Sequence, residues 1–108
     1  MLNKTDIEKL VQEKKVNKAK KSIVKWLREN PSSENLSFAA QCYRRLSLYV
    51  DGLNLVMRQH PFDPHAPRPI RLLAAEFLSH LGAVTFALQI IDSITPETTD
   101  EYEIIAGI

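Results

Sequence analysis

The chain has 108 residues, 44% of them apolar and 25% charged, and a formal net charge of +1. That balance suits one small domain or a few repeats with a modest core, and it excludes a disordered chain. A charge of +1 gives no overall case for a nucleic-acid or membrane partner, and three glycines are too few for a many-turned β protein, so the expected class is all-α.

The first helix is expected to open at Thr5-Asp6-Ile7-Glu8, which has the form of a capping box: Thr5 accepts from the Glu8 N–H while Glu8 reaches back. Ile7, Leu10 and Val11 give it a short apolar stripe that ends in Glu13-Lys14-Lys15. A second helix is expected over 17–29. There Val16, Ala19, Ile23, Trp26 and Leu27 fall at helical spacing, and Lys18, Lys20, Lys21 and Lys25 take the other side. Asn30-Pro31-Ser32-Ser33 breaks it, and Ser32 or Ser33 can cap the next helix. Helices over 34–46 and 49–59 follow. Residues 60–69 hold four of the six prolines and read as a stiff loop. A third pair is expected over 71–81 and 83–94, with Gly82 as the turn residue. Thr98-Thr99-Asp100-Glu101 is again a capping box, and Tyr102, Ile105 and Ala106 begin a seventh helix.

Charge is unevenly spread. Residues 1–30 carry nine Lys/Arg against four Asp/Glu, whereas residues 92–108 carry five acids and no base. The result is a basic head and an acidic tail. Cys42 is the only cysteine, so no internal disulfide can form, which fits a reducing compartment. The polar start MLNKTDIEKL lacks the apolar core of a signal peptide, and no run approaches the ~20 apolar residues of a spanning helix. A cytoplasmic location is the default reading.

No catalytic motif stands out, and neither cofactor nor metal is expected. His60, Asp63 and His65 share the proline loop, but with no cysteine or fourth ligand nearby they read as solvated turn residues. Cys42 reads as a small core residue rather than a nucleophile. His80 suits the negative end of its helix. The cluster Lys14, Lys15, Lys18, Lys20, Lys21 and Lys25 lacks interleaved arginines and exposed aromatics, which disfavours nucleic acid. It reads as a solvated outer face, with contact to an acidic protein surface left open.

The hairpin spacing repeats. The central unit reads Leu36-x2-Ala39-Ala40-x2-Tyr43, then Gly52-x3-Val56, then Pro64. The next reads Arg71-x2-Ala74-Ala75-x2-Leu78, then Ala87-x3-Ile91, with Pro96 three residues early. Upstream, Leu10, Ala19, Ile23 and Pro31 fit the same frame, and Glu103-x2-Ala106-Gly107 begins a fourth copy. The small residues Ala19, Gly52 and Ala87 bracket a period of about 34 residues and would let neighbouring helices approach closely. This pattern resembles the tetratricopeptide repeat family. The resemblance covers nearly the whole chain, in units of approximately 3–32, 33–66 and 68–97 with a fourth starting at 98–108, although its family Trp is missing throughout.

The resemblance implies a right-handed α-solenoid of antiparallel hairpins, a non-enzymatic module whose first helices line a groove for a partner's peptide or helix. Carried over position by position, the groove would be lined by Lys4, Glu8, Val11 and Gln12. The second unit would add Glu34, Ser37, Gln41, Arg44 and Arg45, and the third Leu72, Glu76, Ser79 and His80. Arg44 and Arg45 could take a carboxylate bidentately. The family's carboxylate clamp is not matched: Glu8 and Phe38 stand where its asparagines would be, and Pro69 and Leu73 where its basic pair would be. Two alternatives stay open: head-to-tail pairing of the basic and acidic ends, and a docking arm of an enzyme. Because the chain stops one turn into the fourth copy, it is expected to be the N-terminal part of a longer protein.

Overall fold

A computed structural model describes residues 3–59, 67–92 and 99–106. Among them every regular element is an α-helix, so the expected class holds. The order is α1 (Lys4–Gln12), α2 (Val16–Glu29), α3 (Ser33–Arg45), α4 (Tyr49–Gln59), α5 (Arg68–His80), α6 (Val84–Ile91) and α7 (Thr99–Ala106).

Two helix starts differ from expectation. α1 is capped by Asn3, not Thr5: Asn3 is extended at φ −137°, and its Oδ1 accepts from the Asp6 N–H at 2.9 Å. Asparagine does this better than threonine, and Thr5 is left inside the helix. α5 begins at Arg68, three residues before the expected 71, with Pro69 in its first turn. Proline is tolerated there because that N–H has no intrahelical partner and its φ already suits a helix. Ser32 caps α3 as expected, accepting from the Asn35 N–H at 3.0 Å. The solvated-turn reading of His60, Asp63 and His65, the rest of the proline loop to residue 66, and the Thr98 cap lie outside the described residues.

Each hairpin turns through the same backbone device. Lys14, Ser47 and Gly82 have φ of 55°, 59° and 96°, the left-handed region that glycine enters most freely. Around each, two hydrogen bonds recur in the same register. The Lys15, Leu48 and Ala83 N–H groups donate to the Leu10, Tyr43 and Leu78 carbonyls at 3.0, 2.9 and 2.9 Å. The Lys14, Ser47 and Gly82 N–H groups donate to Val11, Arg44 and Ser79 at 3.0, 3.0 and 3.1 Å. Both bonds define the Schellman C-cap, which satisfies carbonyls that the end of a helix would otherwise leave open. The next helix then starts identically each time, with the Ala19, Gly52 and Ala87 N–H groups donating to Lys15, Leu48 and Ala83. Three copies of one turn produce three copies of one hairpin.

Consecutive helices pack in pairs from α1·α2 through to α5·α6, and α1 also meets α3, α3 meets α5, and α5 meets α7. The core follows the apolar stripes. Ile7, Ile23, Val56, Ile70, Leu73 and Phe77 are all essentially inaccessible, each contributing roughly 1.5–3 kcal/mol by burial. Trp26 meets Phe38 edge-on, with ring centroids 5.4 Å apart. The small positions act where expected. A Cβ at Gly52 would stand 2.7 Å from Cε2 of Phe77, so the missing side chain is what lets α4 close on α5. Across α2 and α4, Lys20 and Asp51 add an ion pair at 3.1 Å.

Candidate functional site

The residues carried over to the groove come from the first helix of each hairpin, and their exposure falls along the series α1, α3, α5. On α1, Glu8 and Gln12 are exposed and Lys4 is half-buried, whereas Val11 is in the core. Lys4 lies 5.3 Å over the Phe38 ring and 3.9 Å from the exposed Glu34 carboxylate. That arrangement holds the lysine stem against apolar surface and leaves its charge near water. On α3, Ser37 and Gln41 are half-buried and Arg45 is exposed.

On α5 the expectation fails for two positions. Leu72 is fully inaccessible and Glu76 is 4% exposed, so neither faces an open groove. α5 is packed by α3, α4, α6 and α7 together, and eight of its thirteen residues are buried. A helix enclosed on that many sides leaves little surface for a partner, and only its ends and Arg71 reach solvent. Ile104 of α7 belongs to the same core.

Arg44 is also corrected. Its Nε donates to Oε2 of Glu76 at 2.5 Å, so its guanidinium already has a carboxylate from within the chain. Only Arg45 of the adjacent pair remains open. The other Glu76 oxygen lies 3.6 Å from Nε2 of His80, one turn later on α5, an ion-pair distance rather than a hydrogen bond. The His80 ring stacks on Tyr49 at a centroid distance of 4.0 Å with only 3° between planes. Side chains from three helices, α3, α4 and α5, thus converge around one charged group. A carboxylate buried this far needs such partners, because an unpaired buried charge costs several kcal/mol.

The cluster has no catalytic shape. Among the described residues no hydroxyl or thiol is hydrogen-bonded to His80, so Ser79, although adjacent in sequence, is not activated by it. Cys42 is 1% exposed, and burial pushes its thiol up to about 11, far from a thiolate at neutral pH. Nor do the described residues contain a group of three or more His, Cys, Asp or Glu able to hold a metal ion.

Comparison with known proteins returns nothing. No family model matches the chain, and neither does any curated protein or solved structure. The residues themselves therefore carry the functional argument. What remains open among the sequence-derived positions is Glu8, Gln12, Glu34 and Arg45, with half-buried Lys4, Ser37 and Gln41 between them. Ser79 and His80 lie beyond, at the end of α5. Sequence reasoning missed Tyr49 as a partner of His80 and the α3–α5 pairing of Arg44 with Glu76. No local signal reveals the latter, since the two residues are 32 positions apart. Among the described residues no helix is long and apolar enough to cross a membrane.

Proposed function

We propose that the chain is a tetratricopeptide-like helical repeat module that binds another protein along the inner face of its first two hairpins. The observation that carries the reading is the threefold recurrence of one turn, with the same two capping bonds at Lys14, Ser47 and Gly82. Stacked copies of a single hairpin form a quasi-one-dimensional array, and such arrays use the surface along their first helices for recognition. Contacts of α1 with α3 and of α3 with α5 support that arrangement.

In this reading Glu8, Gln12, Gln41 and Arg45 set specificity through hydrogen bonds and charge, while Lys4 over Phe38 offers an amphipathic platform. Leu72, Glu76 and Arg44 shape the floor and do not touch the partner. The module works without catalysis, in the cytoplasm, and without cofactor.

Selection of a displayed random-peptide library against the folded chain tests this. Selected peptides should shift the amide resonances of α1 and α3, and Arg45→Glu together with Gln41→Ala should weaken them at least about tenfold. Peptides whose footprint leaves α1 and α3 unmoved, or a selection that yields no binder, would refute the proposal.

A further inference from the structure

A second surface lies on the second helices of the first two hairpins, and no residue of the groove reading contributes to it. An open groove of ≈ 540 Å³ runs between α2 and α4, past the Pro31-Ser32-Ser33 turn. Its floor is apolar: Val24 is 45% exposed, with half-buried Leu27 and Leu55 beside it. A neighbouring depression shares Val24 and Arg28 with it and carries the surface on along α2 past Lys21 and Lys25.

The rim is cationic. Arg28 and Arg58 flank the floor, and Lys21 and Lys25 extend the charge along α2. All four are exposed, and among the described residues none has an ion-pair partner, unlike Lys20, which Asp51 neutralises. Glu29 is the single acid on that margin. Four unneutralised cations held around an apolar strip would repel one another, and an anionic partner relieves that repulsion.

We infer that the α2–α4 groove docks an acidic amphipathic helix of a partner protein, with its leucine-type side chains on Val24, Leu27 and Leu55 and its carboxylates on Lys21, Lys25, Arg28 and Arg58. The chemistry selects against other polyanions. Single-stranded nucleic acid needs exposed rings on which bases stack, but Trp26 is 5% exposed and engaged with Phe38. A lipid surface needs a broad apolar face on the basic helix. α2 spends Ala19, Ile23 and Trp26 on the core and leaves Val24 as its only exposed large apolar side chain. The chain's own acidic helix α7 is not the occupant, since Ile104 is buried in its own core.

A synthetic peptide with leucines at i, i+3, i+4 and i+7 and glutamates on its other face serves as the probe, beside a scrambled peptide of equal composition. Fluorescence anisotropy against the folded chain should show micromolar binding of the first and at least about tenfold weaker binding of the second. Val24→Glu should weaken the probe at least about tenfold, and Lys25→Glu or Arg28→Glu at least about threefold. Val50→Glu, at an exposed apolar position of α4 outside the groove, should leave it unchanged. Equal binding of the scrambled peptide, indifference to Val24→Glu, or no binding at all would overturn the inference. So would vesicles rich in phosphatidylserine, or single-stranded RNA, binding more tightly than the peptide.

Discussion

Substituting Gly52 with alanine sets two effects of opposite sign against each other. Gly52 is interior to α4, where alanine gains about 1 kcal/mol from helix propensity alone. Against that, the new Cβ would stand 2.7 and 2.8 Å from Cε2 and Cε1 of Phe77, with Cζ closer still. Real Cβ atoms do not approach so near, so the ring or the helix must move. Phe77 has no solvent side to retreat to, being 0% exposed and tilted against Tyr49 at 6.4 Å. Overpacking at such a site costs about 3 kcal/mol, the upper end of the usual range, so the net loss is about 2 kcal/mol. For a chain of this size that lowers Tm by roughly 10 °C. Urea titration followed by far-ultraviolet circular dichroism measures it, with Trp26 fluorescence as a second probe. The decisive comparison is with Phe77→Leu as background. Shortening the ring removes the clash, so adding Gly52→Ala there should be neutral or stabilising by up to ~1 kcal/mol. A stabilising Gly52→Ala in the wild-type chain, or equal effects in both backgrounds, would refute the close-approach argument.

Three further predictions follow from the same geometry. Arg44→Met should destabilise by about 2–3 kcal/mol because it strands the Glu76 carboxylate, and Arg44→Met with Glu76→Leu should recover most of that loss, as denaturant midpoints would show. Lys14→Gly and Ser47→Gly should each stabilise by about 0.5–1 kcal/mol, since glycine relieves positive φ, whereas Gly82→Ala should cost about 1 kcal/mol; thermal melts of the three variants check the pattern. For Cys42 the fold favours the protonated thiol, raising its pKa from 9.0 to about 11. Its contribution is therefore fully present below pH 9 and is lost as pH rises through 11. The stability of wild type relative to Cys42→Ala should stay flat to pH 9 and then fall by a few kcal/mol, on the order of 3. Iodoacetamide should label the native thiol only at the rate of opening.

The amino-acid order by itself determined the helical class, the positions of the breaks, and the small residues at which helices meet. These are local matters: apolar spacing near 3.6, Pro31 as a breaker, and Ser32 as a cap act within a few residues of themselves. Ala19, Gly52 and Ala87 could be read as close contacts because only a missing or minimal side chain suits that role.

Tertiary structure decided the rest. Lys14 and Ser47 take a conformation their own preferences oppose, because the two capping bonds and the packing of each hairpin outweigh the local penalty. Leu72 and Glu76 stand where a groove was expected, yet α5 is surrounded by four helices. Arg44 looked like a hand extended to a partner and is instead held by Glu76, a contact that exists only once α3 lies on α5. Helix periodicity tells which residues share a face, but how many neighbours cover that face depends on the whole fold. Whether a charge meets water or another charge is set at the same level, since it depends on residues far away in the chain.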